Sequence, residues 1–264
     1  MNSTDDGPGT KLAEQYGVKG RPYFILMTAS GEPVDRWVGF HDPAVWLANY
    51  QSALTDPTTV KDKKKRFDAK PAEGLAVNLA RINQAERKNR ESVRYYREAA
   101  RLAGSMKASF AREIFDIMSY DRADGGFTID EVKTSADALM AARDRTPVDA
   151  LTVASTMSEI ASEKQNPGLV QPYIAPALAA SEGVTGEDAM SMRKDVEIAK
   201  ALFVDGDPQL AVELKKQSMP EGWQKTVRGI NDFASWCFQN KVNTQEAEEL
   251  SKQAIELANE KKGS

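Results

Sequence analysis

The sequence predicts a small α+β N-terminal part joined to a larger all-α part built of helical hairpins. Two observations carry this. "YFILM" (23–27) and "VDRWV" (34–38) are strand-length runs on either side of the turn residues "ASGEP". From Pro71 onward apolar residues recur at steps of three and four, and no segment reads as a strand. The expected organisation is a first domain over 1–57, a linker over 58–71 and a helical domain over 72–264.

The first helix is expected from Thr10 as N-cap, with Leu12, Ala13 and Tyr16 as a short apolar face. Gly17 should stop it in the left-handed conformation. "YFILM" is continuously apolar, as a buried strand is, and Gly31 is free to take the positive φ of a tight turn. The second strand alternates Val34, Arg36 and Val38 with Asp35, Trp37 and Gly39, which gives it two different faces. Asp42 with Pro43 reads as the start of another helix carrying Val45, Trp46, Ala48 and Leu54.

The stretch 55–71 holds five basic residues between Lys61 and Arg66, a pattern read as a solvated linker or helix start. Beyond it, about ten helices are expected. They form antiparallel pairs beginning near 72, 106, 146, 187 and 220, a spacing typical of helical-hairpin repeats. Thr128 with Glu131 has the spacing of a capping box, as does Asn243 with Glu246. Thr146-Pro147 and Asp207-Pro208 each place a cap before a proline at the first helical position.

Composition excludes several kinds of chemistry. The chain has 264 residues, a net charge of −4, one cysteine and one histidine. A single cysteine forms no intramolecular disulfide and no CxxC pair. One Cys and one His assemble no Cys/His zinc site. The negative charge argues against a nucleic-acid partner, and no apolar run reaches the length of a membrane span. No cofactor is expected, because no glycine-rich phosphate loop leads into a helix. Cys237 falls on a helical stripe with Trp223, Val227, Ile230 and Ala234 and reads as core. His41 reads as a surface or capping residue. "SYDRADGGFTIDEV" (119–132) fails as a calcium loop: counted from Asp121, position three is Ala123 and position twelve is Val132. A turn at Gly125-Gly126 before the helix from Thr128 accounts for it. The methionines sit mostly at core spacing.

The order helix, strand, turn, strand, helix in "LAEQYGVKGRPYFILM…SGEPVDRWVGF…LANYQSAL" resembles the C-terminal half of the thioredoxin fold. Pro22 matches that family's cis-proline and Gly39 its strand-end glycine. The resemblance covers residues 11–54. It implies that the first βαβ unit, which carries the family's CxxC, is missing and that the chain begins mid-domain. It also implies that Arg21, Pro22 and Tyr23 grip an extended peptide; the plainer reading is that Pro22 shapes a turn and Arg21 is solvated. "LFVDGDPQLAVELKKQ" and "INDFASWCFQNKVNTQEAEELSKQAIELANE" resemble tetratricopeptide (TPR) repeats through Ala211, Ala234, Trp236, Ala247 and Ala254.

The function expected is that of a non-catalytic protein- or peptide-binding module, with no catalytic residue and no metal ligand, acting on a protein or peptide client through TPR-like helices. The alternative is a thiol–disulfide oxidoreductase whose CxxC lies upstream of Met1. The first implies a cytoplasmic protein, since the chain as given opens without a signal peptide; the second implies a periplasmic or exported one. A third reading, self-assembly through an exposed sheet edge, leaves the oligomeric state open.

Overall fold

The computed structural model describes residues 8–18, 22–39 and 43–260. It is mostly helical, with one two-stranded antiparallel sheet among the described residues. The chain divides into two compact units, residues 1–138 and 139–264. The division expected near 57–72 lies inside the first unit, and the reason is residue-level. The basic run 61–66 is part of a helix that packs into this unit through Lys63 and Phe67, both buried.

In the first unit α1 (Pro8–Gln15) begins two residues before the expected cap. It ends as expected, with Gly17 at φ +64°. β1 (Tyr23–Met27) pairs antiparallel with β2 (Pro33–Val38), Phe24 opposite Trp37 and Ile25 opposite Arg36. Gly31 in the connecting turn has φ +83°. Then follow α2 (Pro43–Thr55), α3 (Val60–Ala69), α4 (Glu73–Ala85), α5 (Asn89–Leu102), α6 (Ala108–Asp121) and α7 (Ile129–Ala141), whose last three residues lie past the division at 138. His41 and Asp42 lie outside the described residues.

α4 and α5 form a hairpin across a three-residue link, with Leu79, Ile82, Val93, Tyr95 and Ala99 in its seam, all buried. Full burial of each large side chain stabilises by about 1.5–3 kcal/mol. Thr128 and Glu131 make the expected capping box at the start of α7: the Thr128 N–H donates to Glu131 Oε2 at 2.8 Å, and the Glu131 N–H to Thr128 Oγ1 at 3.2 Å. The preceding turn has Gly125 at φ +77° and a Gly126 N–H bond to the Asp121 carbonyl.

The second unit holds α8 (Pro147–Lys164), α9 (Gln171–Ala180), α10 (Glu187–Lys200), α11 (Pro208–Ser218), α12 (Val227–Asn240) and α13 (Thr244–Glu260). Helices begin at 73, 108, 147, 187 and 227, close to the pair starts read from sequence. Thr146 opens α8 with a full capping box through Asp149, and the Asp207 side chain accepts from the Leu210 N–H at 3.0 Å. α10 runs into one π turn, Ala201–Asp205, that stops at Gly206 with φ +66°. The Phe203 carbonyl in that turn accepts from Gln171 Nε2 at 2.6 Å, so a weakened backbone ladder is bonded from outside. Trp223, Phe233, Cys237 and Ala247 form a buried cluster with Trp236 packed beside it. Met118 and Met157 are core residues, but Met190 is 48% exposed.

Candidate functional site: the free edge of β1 and the groove beside α1

β1 is made of five apolar residues, yet every one is only half-buried. Among the described residues its sole strand neighbour is β2, so one edge carries backbone N–H and C=O groups with no ladder partner in the described sheet. By the period of two, Tyr23, Ile25 and Met27 share one face and Phe24 lies on the other. Phe24 stacks on Trp37 at 5.7 Å between centroids and meets Trp46 of α2 edge-on at 5.8 Å. On the Tyr23 face a groove of about 570 Å³ runs between β1 and α1, lined by Leu12, Ala13 and Tyr16 on one side and by Tyr23 and Ile25 on the other. All five are half-buried.

The groove is held by bonds linking Tyr16 to the hairpin turn and to β2. The Tyr16 hydroxyl donates to the Gly31 carbonyl at 3.2 Å. Arg36 Nη1 donates to the Tyr16 carbonyl at 3.2 Å and pairs with Glu86 of the α4 cap at 3.0 Å. These contacts pin the end of α1 to the hairpin turn, to β2 and to the end of α4.

β2 departs from the expected strand with two different faces. Val34, Asp35, Arg36 and Trp37 are all buried, so both its faces are covered. Asp35 is 0% exposed and fully engaged: Oδ1 accepts from the Arg36 N–H at 2.8 Å, and Oδ2 from Asn78 Nδ2 at 2.8 Å and Arg81 Nη2 at 2.5 Å. Lys63 of α3 is 1% exposed, and its ammonium donates to the carbonyls of Val34, Asp56 and Thr58 at 2.7, 2.9 and 2.9 Å. Three donors meet three acceptors, which lets a buried ammonium persist. Burial holds its pKa below the usual lysine value.

Of the residues singled out from sequence, Pro22 and Tyr23 line the groove, and Arg21 lies outside the described residues. The Pro22 carbonyl accepts from the Gly39 N–H at 3.0 Å, which closes the sheet at that end. The Tyr23 hydroxyl is buried with no hydrogen-bond partner. Lys63, Asp35 and Arg81 escaped the sequence reading. The available signal was Phe67, four residues after Lys63: one helical face carrying both implies that this lysine points inward.

α2 is a second unusual surface. It is rich in apolar residues, but only Ala53 is buried; Val45, Leu47 and Leu54 are 49%, 47% and 52% exposed. Cys237 is buried, and burial pushes its thiol up to about 11, the opposite of an activated cysteine. Among the described residues no cluster of His, Cys, Asp and Glu is arranged to hold a metal ion, and no helix is long and apolar enough to cross a membrane. Compared with known proteins, the chain matches no family model and no curated protein sequence.

Proposed function

We propose that this chain is a non-catalytic protein- and peptide-interaction module. Its first unit seats an extended peptide along the free edge of β1, in the groove beside α1, and its TPR-like helices offer protein-binding surface of their own. One observation carries the reading: an apolar strand with a single strand neighbour among the described residues, half-exposed along its whole length, beside a groove wide enough for side chains. Strand addition satisfies the edge backbone groups and lets Tyr23 and Ile25 meet alternate side chains of the guest. The likeness to half of a thioredoxin domain, with Arg21, Pro22 and Tyr23 as the gripping segment, and the likeness of the hairpins to TPR repeats agree with this reading. The exposed Leu47 and Leu54, seven residues apart on one side of α2, add a second apolar contact region of the kind that marks interaction surfaces.

The test is fluorescence anisotropy with a labelled octapeptide of alternating threonine and valine flanked by lysine. Saturable binding is expected, weakened about tenfold or more by Leu12→Glu or Ile25→Glu, a loss of at least about 1.4 kcal/mol. Arg21→Ala should weaken it as well. Affinity unchanged in both groove variants would remove the site.

A further inference from the structure

A separate cavity, of about 340 Å³, lies in the first unit between β2, α2, α4, α5 and α6. That is near the lower end of the size range of small-molecule sites, about 300–1,000 Å³. Trp37, Val45, Val77 and Phe110 give it apolar walls, and Arg81 and Glu113 give it one group of each charge.

Two of its lining side chains carry unused donors. Trp37 is 3% exposed, and its indole N–H meets no acceptor. Arg81 directs its terminal nitrogens to Asp35 and Asn49, but its Nε–H is buried with no acceptor. Each such group carries a desolvation cost that a bound acceptor would recover. On another wall Glu113 is hydrogen-bonded to Gln84 and Tyr96, both uncharged; burial and then the nearby Asp116 raise its pKa, and Arg112 offsets them only in part. A cationic group placed against it would stabilise the ionised form.

We propose that this cavity binds a free α-amino acid with an apolar side chain. Its carboxylate accepts from the Trp37 indole and the Arg81 Nε–H, its ammonium faces Glu113, and its side chain packs among Val45, Val77 and Phe110. A simple carboxylic acid would satisfy the donors but set a second acid against Glu113. A simple amine would pair with Glu113 but leave both donors empty. Only a ligand bearing both groups answers both walls.

Isothermal titration of the full chain with L-leucine and L-phenylalanine tests this, with 3-phenylpropionate and phenethylamine as probes lacking the ammonium or the carboxylate. Saturable binding of at least one amino acid is expected, with both single-function probes weaker by about tenfold or more. Trp37→Phe keeps the ring and removes the donor; Glu113→Gln keeps a hydrogen-bonding group and removes the charge. Each should weaken the amino acid about tenfold, with the far-UV circular dichroism of both variants retained. Glu113→Gln should also narrow the gap between L-phenylalanine and 3-phenylpropionate. No saturable heat from either amino acid up to about 10 mM, well above a millimolar Kd, overturns the proposal. So does equal binding of all the phenyl probes, or affinity unchanged in both variants.

Discussion

Lys63 Nζ donates to the carbonyl oxygen of Val34 at 2.7 Å, reaching 29 residues back along the chain. With its bonds to the Asp56 and Thr58 carbonyls, that ammonium fastens α3 to β2 and to the turn after α2. Lys63→Met removes all three donors and leaves three acceptors unmatched in a buried place. We expect a loss of about 3 kcal/mol in urea unfolding. Lys63→Arg should not restore it, because a planar fork does not match three converging carbonyls.

The same lysine predicts a pH dependence. Burial lowers its folded-state pKa from 10.5, so between the lowered value and 10.5 the unfolded chain binds more protons than the folded one. Its contribution to stability is therefore greatest above 10.5 and is lost as pH falls through the folded value. Stability measured at stepped alkaline pH should contain a rising component that vanishes in Lys63→Met. An identical slope in both proteins would contradict this.

Asp35 holds the opposite charge of the same region. Asp35→Asn withdraws the carboxylate that Arg81 and Asn78 share and leaves a largely buried guanidinium without its ion pair. Breaking one side of such a pair costs about 3–5 kcal/mol. Chemical denaturation measures it, and a change under about 1 kcal/mol would mean that the network is loose, as at exposed pairs.

These residues show where sequence was and was not informative. The turn glycines Gly17 and Gly31, both strands and the starts of the later helix pairs were legible, because φ constraints, a period of two or 3.6, and caps act over a few residues. Thr128–Glu131 and Thr146–Pro147 are examples. Lys63 was not legible, since the composition of 61–66 describes a solvated run and only its tertiary partner, 29 residues away, makes one member buried. The groove was half legible: Pro22 and Tyr23 lie in it, but its other wall is α1, and no local signal aims Leu12 and Tyr16 at β1. The Trp37–Arg81–Glu113 cavity needed four helices and a strand to assemble.

In the second unit, Gly229 is a packing requirement. A Cβ there would sit 2.5 Å from the Trp223 carbonyl oxygen and 2.8 Å from the Trp223 Cβ. Gly229→Ala should cost about 1–3 kcal/mol in thermal or urea unfolding, as overpacking does, despite the better helix propensity of alanine. A stabilised variant would contradict the close approach.

Cys237 should be inert in the folded protein. With its thiol near 11 rather than 9.0, the thiolate fraction at neutral pH falls about a hundredfold, and full burial adds steric protection. Reaction with an aromatic disulfide reagent at pH 8 should be slow when native and complete when denatured. Rapid native labelling would show that the α12–α13 cluster opens.

The most direct measurement of the central claim is hydrogen–deuterium exchange with and without the threonine–valine octapeptide. Our account predicts slowed exchange over Tyr23–Met27 and the adjoining α1, and loss of that protection in Leu12→Glu. Saturating peptide with unchanged exchange in β1, or protection confined to the helices after Pro71, would contradict the free strand edge as the binding site.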